Sequence, residues 1–239
     1  MELVSCIMPT GGRTGFAERS LVYWQRQRYD NKELIVVDDT PGAPLADKIE
    51  RIPGATYMHV EPTLLGTKLN LGIEASTGDV IQKWDDDDIY RPQFLETALA
   101  ALDGCPPENR FVLWDCYLLY LAWSGELYHT GHGHKAGPSL CFDRAVWERA
   151  PFRDYPRSVD TWFIADHDEK FTPVCAAEEL ILVRHRANTW QHYWQTHVDT
   201  YIEDNLERLD ADLDEFVESE DLAFYSDLQM RLQAQGSGS

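Results

Sequence analysis

The chain has 239 residues, 44% hydrophobic and 12% aromatic, a composition that fits a globular protein and excludes a disordered one. Its 41 acidic and 21 basic side chains leave a formal net charge of -20, which argues against a nucleic-acid backbone as a general partner, since phosphate binding rests on basic surface. No apolar run approaches the roughly 18 residues needed to span a bilayer, and Met1 leads into a run too short, and without the basic start, of a signal peptide, so a cytoplasmic protein without membrane insertion is expected.

"LVSCIMPT" (Leu3 to Thr10) is a short apolar run that ends at Pro and Gly-Gly, which predicts a buried strand and a loop. Phe16 to Arg28 reads as a helix, and "KELIVVDDT" as a second buried strand whose carboxyl end carries Asp38 and Asp39. "GTKLNLGIEASTG" predicts a helix closed by Gly78, and "DVIQKW" a third strand running into the four aspartates Asp85 to Asp88. "RPQFLETALAALDG" follows as a helix with proline near its start and glycine after it. Strands alternating with helices predict βαβ units and a mainly parallel sheet flanked by helices, with ligands beyond the carboxyl ends of the strands.

The second half is less regular. "RFVLWDCYLLYLAW" predicts two strands, "HTGHGHKAGP" a loop, and "SLCFDRAVWERA" a strand entering a helix. From Asn188 to the last leucine the pattern is helical almost throughout, and "GSGS" is a flexible tail. One domain over residues 1–235 is expected, with a regular first half (1–105), a less regular second half (106–200), acidic terminal helices (201–235) and a tail (236–239).

Five cysteines (Cys6, Cys105, Cys116, Cys141, Cys175) lie apart without CxxC spacing, which argues against a disulfide framework or a zinc site and predicts buried thiols. His129, His132 and His134 sit in a Gly-rich loop, where a mobile surface is the ordinary reading and acceptor or phosphate contact the functional one. Asp210, Asp212 and Asp214 imitate a calcium loop, but Glu215 stands where the turn needs glycine, so a solvated acidic helix face is expected.

An aspartate run is ordinarily a solvated turn. At the end of a strand buried on both faces, however, four carboxylates repel one another unless a cation neutralises them. Magnesium-like ions take one or two carboxylates plus substrate phosphates, so a divalent ion bridging the run to a diphosphate explains both the cluster and its position.

"VSCIMPT", "YDNKELIVVDDT" and "GTKLNLGIEASTGDVIQKWDDDDIYRPQFL" resemble, in order and spacing, the successive motifs of family 2 glycosyltransferases with the GT-A fold. The resemblance covers about the first hundred residues and implies a Rossmann-like central sheet, a C-terminal acceptor-side region and terminal helices. It places the family's DXD motif on Asp85, Asp86 and Asp87. Asp87 would then ligate Mn²⁺ or Mg²⁺ together with Asp85, while Asp85 and Asp86 approach donor sugar and ribose. Asp39 would contact the base, with Asp38 either doing the same or capping its turn. Pro9 and Thr10 would line the nucleotide, and Lys68 would reach the diphosphate or base. Asn70 would bind the donor or hold the aspartate loop. The family's usual "DDGS" is "DDTP" here.

The family inverts the anomeric centre by single displacement, which implies a carboxylate base beyond the DXD motif. "RSVDTWFIAD" offers Asp160, with Val159 in place of the commoner glutamate; capping a helix that starts at Thr161 is the alternative role. Asp166 and Asp168 belong rather to a solvated face. The resemblance further suggests His185 as a metal ligand and Arg184 or Arg186 beside the leaving diphosphate. The implied partner is a nucleotide-diphosphate sugar, most simply a UDP-sugar. The acceptor is open among a protein, a glycan, a small molecule and a modified DNA base. Trp123, Tyr128, Trp162, Trp190, Tyr193 and Trp194 are candidates for its stacking wall. A sugar-phosphate nucleotidyltransferase and a non-catalytic nucleotide-sugar-binding protein are the competing readings.

Overall fold

The computed structural model describes residues 1–155, 158–185, 187–188, 202 and 205–236. Strand β1 (Val4–Thr10) is buried along its whole length because both faces of the sheet are covered. Val4, Cys6 and Met8 join one buried cluster and Ile7 a second. In β2 (Lys32–Asp38), Leu34 and Val36 join the first, Ile35 and Val37 the second. This period of two distributes each strand between two cores. Helix α1 (Thr14–Gln25) contributes Ala17, Leu21 and Trp24 to the first core. Helix α3 (Leu65–Ala75) contributes Leu69 and Ile73 to the second, and it lies so close that a Cβ on Gly72 would stand 2.5 Å from Ile7 Cγ2.

The remaining elements are α2 (Ala46–Ile49), β3 (Ala55–His59), β4 (Val80–Lys83), β5 (Ile89–Tyr90), α4 (Phe94–Asp103), β6 (Phe111–Cys116), β7 (Leu118–Leu121), β8 (Glu126–His129), β9 (Cys141–Asp143), α5 (Arg144–Arg149), α6 (Val159–Asp166), β10 (Thr172–Cys175), β11 (Leu180–Arg184), β12 (Glu207–Arg208) and α7 (Ser219–Gly236). The main sheet has the order β10-β6-β9-β4-β1-β2-β3, parallel except for β9, which runs antiparallel to β4 and β6. A second sheet, β12-β8-β7-β11-β5, packs against the carboxyl end of β4 through β5 and β11. The arrangement is an α/β fold with a mainly parallel central sheet flanked by helices. Strand order reverses between β1 and β4, which makes a crevice beyond their carboxyl ends.

Three expectations need correction. The segment after Asn188 is not continuously helical among its described residues. Glu207 and Arg208 pair with β8 opposite His129 and Tyr128, and a single 3₁₀ turn, Leu213–Glu215, precedes α7. Asp212 and Glu215 form a reciprocal capping box that starts this short turn, which explains the acidic alternation without one long helix. Within α7, Asp221 is fully buried and paired with Arg19 of α1 and Arg26 at the C-cap of α1, so the acidic face is not all solvated. Finally, the cysteines are not all free thiols: Cys116 and Cys175 form a disulfide between β6 and β10, whereas Cys6, Cys105 and Cys141 are buried and free. Sequence spacing could not show this pair, because the strand register, not the chain, brings it together.

Candidate active site

The aspartate turn leaves β4 immediately after Lys83 and is held from several sides. Trp84 donates its backbone N–H to Ile7 O (2.9 Å) and its indole N–H to Ser20 Oγ (2.8 Å), and its ring stacks on Tyr90. Tyr90 Oη in turn accepts Asp85 N at 2.8 Å. A cavity of about 310 Å³ opens over this turn, lined by Pro9, Arg13, Lys83, the four aspartates, Asp160, Arg184 and Asn188 among others.

The four carboxylates have different surroundings. Asp86 Oδ2 accepts Thr10 Oγ1 at 2.6 Å, and Asp86 Oδ1 pairs with Arg13 Nη2 at 2.5 Å. Burial nevertheless pushes its carboxyl up to about 7, against the pull of Arg13. Asp87 Oδ2 pairs with Arg13 Nη1 at 2.5 Å and lies 3.1 Å from His185 Nε2. Burial opposes its charge, but Arg13 and His185 prevail and hold the carboxyl well below the usual carboxylate range. Asp88 Oδ1 accepts Val183 N at 2.9 Å, tying the turn to β11, and burial raises this carboxyl strongly. Asp85 Oδ1 pairs with Lys83 Nζ at 2.6 Å; burial raises it despite the lysine.

One oxygen from each of Asp85, Asp87 and Asp88 lies within 4.8 Å of the others. Such an all-oxygen donor set suits a hard divalent ion, so these residues fit Mn²⁺ or Mg²⁺. His185 contacts Asp87 directly and stacks on Phe16 (centroids 4.2 Å apart), within reach of the same cluster.

Asp160 faces this turn from α6. Its Oδ1 is 3.3 Å from the buried Lys83 ammonium and has no other hydrogen-bond partner. Burial disfavours the lysine's charge, yet Asp160 and Asp85 more than restore it. The helix starts at Val159 rather than Thr161, with Ser158 as its left-handed N-cap (φ 57°), so Asp160 lies inside the first turn and is not the cap. Its carboxylate presses on Gly137, where a Cβ would approach Oδ2 to 2.3 Å.

At the other end of the crevice, Asp39 Oδ2 pairs with Lys68 Nζ at 2.7 Å, and Lys68 donates to Thr10 O at 2.7 Å. Asp38 is fully buried; it accepts Thr40 N (2.8 Å) and Tyr57 Oη (2.9 Å), which is the turn-capping role. Asn70 departs from its expected place. Its amide is spent on Phe152 N, Phe152 O and Trp147 Nε1, so it secures the 147–152 segment rather than the donor or the aspartate loop. Arg184 lines the cavity, whereas Arg186 lies outside the described residues. Trp190, Tyr193 and Trp194 also lie outside them. Of the other expected aromatics, Tyr128 is buried and Trp123 packs on the core, while Trp162 is 41% exposed, one residue beyond Thr161 of the cavity wall. Asp166 is tied to Arg153, and Asp168 is exposed.

Two site residues escaped the sequence reading. Arg13 sits in the loop after β1, and only its isolation as a cation beside two glycines marks it. Lys83 is a lysine at the end of an otherwise apolar strand, a position that signals a buried ion pair.

Residues 5–109 match the family model described as "Glycosyl transferase family 2". The chain is 34% identical over 103 residues to the putative colanic acid biosynthesis glycosyl transferase WcaA of Escherichia coli K12, covering 41% of this chain and 37% of that protein. The chain thus spans little more than a third of that relative. Among solved structures, Staphylococcus aureus TarS 1-349 in complex with UDP-GlcNAc superposes with a TM-score of 0.60 at 14% identity, over 83% of this chain and 63% of TarS 1-349. The mannosyltransferase PcManGT of Pyrobaculum calidifontis, in complex with GDP-Man and Mn²⁺, gives 0.57 at 19% identity, over 81% and 59%. Both likenesses show the GT-A fold.

Proposed function

We propose that this chain, whose residues 5–109 belong to glycosyl transferase family 2, is a metal-dependent, inverting glycosyltransferase that moves a sugar from a nucleotide-diphosphate sugar, most simply a UDP-sugar, to a hydroxyl of a soluble acceptor. The observation that carries this reading is one cavity in which Asp85, Asp87 and Asp88 converge and Asp160 faces them across Lys83. The nucleotide-sugar complexes of TarS and PcManGT, and the Mn²⁺ in the latter, support the donor class and the metal.

Asp87 and Asp85 would hold Mn²⁺ or Mg²⁺, with Asp88 and His185 beside them; when bound, the ion supplies Lewis-acid stabilisation of the leaving diphosphate. Thr10, Asp39 and Lys68 bind the nucleotide, with Pro9 lining it. Asp86, held by Thr10 and Arg13, orients toward the ribose. Asp160 accepts the acceptor hydroxyl's proton as that oxygen attacks the anomeric carbon. The Lys83 ammonium keeps Asp160 oriented and offsets the negative charge crowding the turn. Exposed Trp162, on the same helix, presents a ring face on which an acceptor can stack.

The test is Asp160→Asn, assayed for donor binding and transfer with a panel of nucleotide sugars. Retained donor affinity with turnover reduced about 10²–10⁴-fold supports the reading. Unchanged turnover removes Asp160 as base, and absence of any metal-dependent nucleotide-sugar binding by the native chain removes the function.

A further inference from the structure

At the ends of β6 and β10, a second and chemically different donor set comes together. We propose that Cys116, Cys175, His132 and Asp115, in the thiol form of the protein, bind a zinc ion. Cys116 and Cys175 are register partners at the ends of the parallel strands β6 and β10, with Cα atoms 5.4 Å apart. A register shift between Val174 and Cys175 turns the second cysteine to meet the first. His132, in the 130–137 loop, places Nδ1 3.0 Å from Asp115 Oδ2. One ligand atom from each of the four residues lies within 4.8 Å of every other. A tetrahedral zinc with bonds of about 2.0–2.3 Å needs ligand separations of about 3.3–3.8 Å, so once the S–S bond is broken the two sulfurs part and the ligand atoms, already within 4.8 Å of one another, need only small shifts to close on the ion.

The donor chemistry selects the ion. Two thiolates and an imidazole suit zinc, whereas the all-oxygen aspartate turn suits magnesium or manganese. Asp115 carries an independent sign of an absent partner: its Oδ1 is buried and accepts no hydrogen bond, an uncommon state for a carboxylate oxygen. The disulfide is the alternative state of the same two sulfurs. A dithiol reductant opens it by thiol–disulfide exchange, delivering two electrons and leaving two thiols while the reductant becomes a disulfide. Zinc then displaces one proton from each thiol.

The ion would fasten the loop to the sheet, reinforcing His134 N to Asp115 O (2.9 Å) and Ala136 N to Trp114 O (3.0 Å). That loop continues into Gly137, against which Asp160 rests. The site therefore has a positioning role for the wall opposite the aspartate turn, without touching substrate.

The experiment uses the full chain reduced with a dithiol and titrated with Co²⁺ as a spectroscopic substitute for zinc. A thiolate-to-cobalt charge-transfer band, saturating at one ion per chain, is the expected result, and the oxygen ligands of the aspartate turn cannot produce it. Cys116→Ser and Cys175→Ser should abolish the band. His132→Ala, at an exposed position where folding is not at stake, should weaken Co²⁺ binding about 100-fold or more, beyond what loss of a merely supporting residue costs. Zinc should displace the cobalt and raise the melting temperature of the reduced native chain but not of His132→Ala. Absence of the band once both thiols are titratable overturns the proposal, as does a disulfide that resists the reductant in the folded protein.

Discussion

Arg13 Nη1 lies 2.5 Å from Asp87 Oδ2, so the guanidinium occupies the charge environment that a metal ion would otherwise dominate. The same group also reaches Asp86, which makes Arg13 an internal counter-ion of the turn. Arg13→Ala should lower stability in the presence of a chelator by about 2 kcal/mol, below the 3–5 typical of a fully buried pair because the arginine is partly exposed. Added Mn²⁺ should recover most of that loss, since a second cation can take over the vacated role. Thermal unfolding with chelator and with Mn²⁺ measures both.

Asp86 provides a pH signature. Burial lifts its folded value to about 7, above the 3.8 of the free side chain, so the metal-free fold holds this proton more tightly than the unfolded chain does. Its contribution to stability therefore grows as pH falls from about 7 toward 4. Cation binding in the turn favours the carboxylates and should release protons, more at pH near 6 than at pH near 9, with Asp86 contributing about one at the lower pH. Calorimetry in buffers of different ionisation enthalpy counts the protons, and Asp86→Asn should lower the count at pH near 6 by about one.

Asp87 and Asp88 should behave differently although they are neighbours. Asp87→Ala removes the proposed metal ligand and should weaken metal-dependent donor binding by about 100-fold or more. Asp88→Ala leaves Val183 N without its acceptor, which should cost about 1–3 kcal/mol of stability while donor affinity stays within about tenfold, or 1.4 kcal/mol. Equal losses of donor affinity in the two variants would contradict this division.

The terminal helix is expected to matter for stability through one side chain. Asp221 has no exposed surface and is shared by Arg19 of α1 and Arg26 at the C-cap of α1, while Tyr225 meets Tyr23 through their hydroxyls at 3.0 Å. Asp221→Ala strands Arg19 and leaves Arg26 only Glu220, and should lower stability by about 3 kcal/mol, read as a drop in melting temperature and in denaturant midpoint.

The first hundred residues were legible because each level agreed: apolar strands, capped helices and acidic strand ends all pointed to one parallel sheet. The short edge strand β3 was not anticipated, since its half-buried residues Ala55 to His59 give no continuous apolar run. In the second half, β9 and the helix after it were legible as a strand entering a helix, but not the antiparallel pairing of β9 with β4 and β6, and β12 has only two residues, too few for any periodic signal. Their pairings depend on partners far away in the chain. The same reason hid Arg13 from the aspartates, 73 residues away at Asp86, and Cys116 from Cys175. Asp160, by contrast, could be named because an acid opening an aromatic helix is a local pattern.

Strand β4, whose carboxyl end carries the aspartate turn, has neighbours of very different age during synthesis. β1 is made before it, but β9, which covers its other edge, follows only at Cys141–Asp143. A nascent chain that has emerged through residue 109 therefore displays a sheet whose β4 edge is still bare, an open template for other chains. The stretch most easily recognised in this protein is also the stretch that most needs shelter until the rest of the chain arrives.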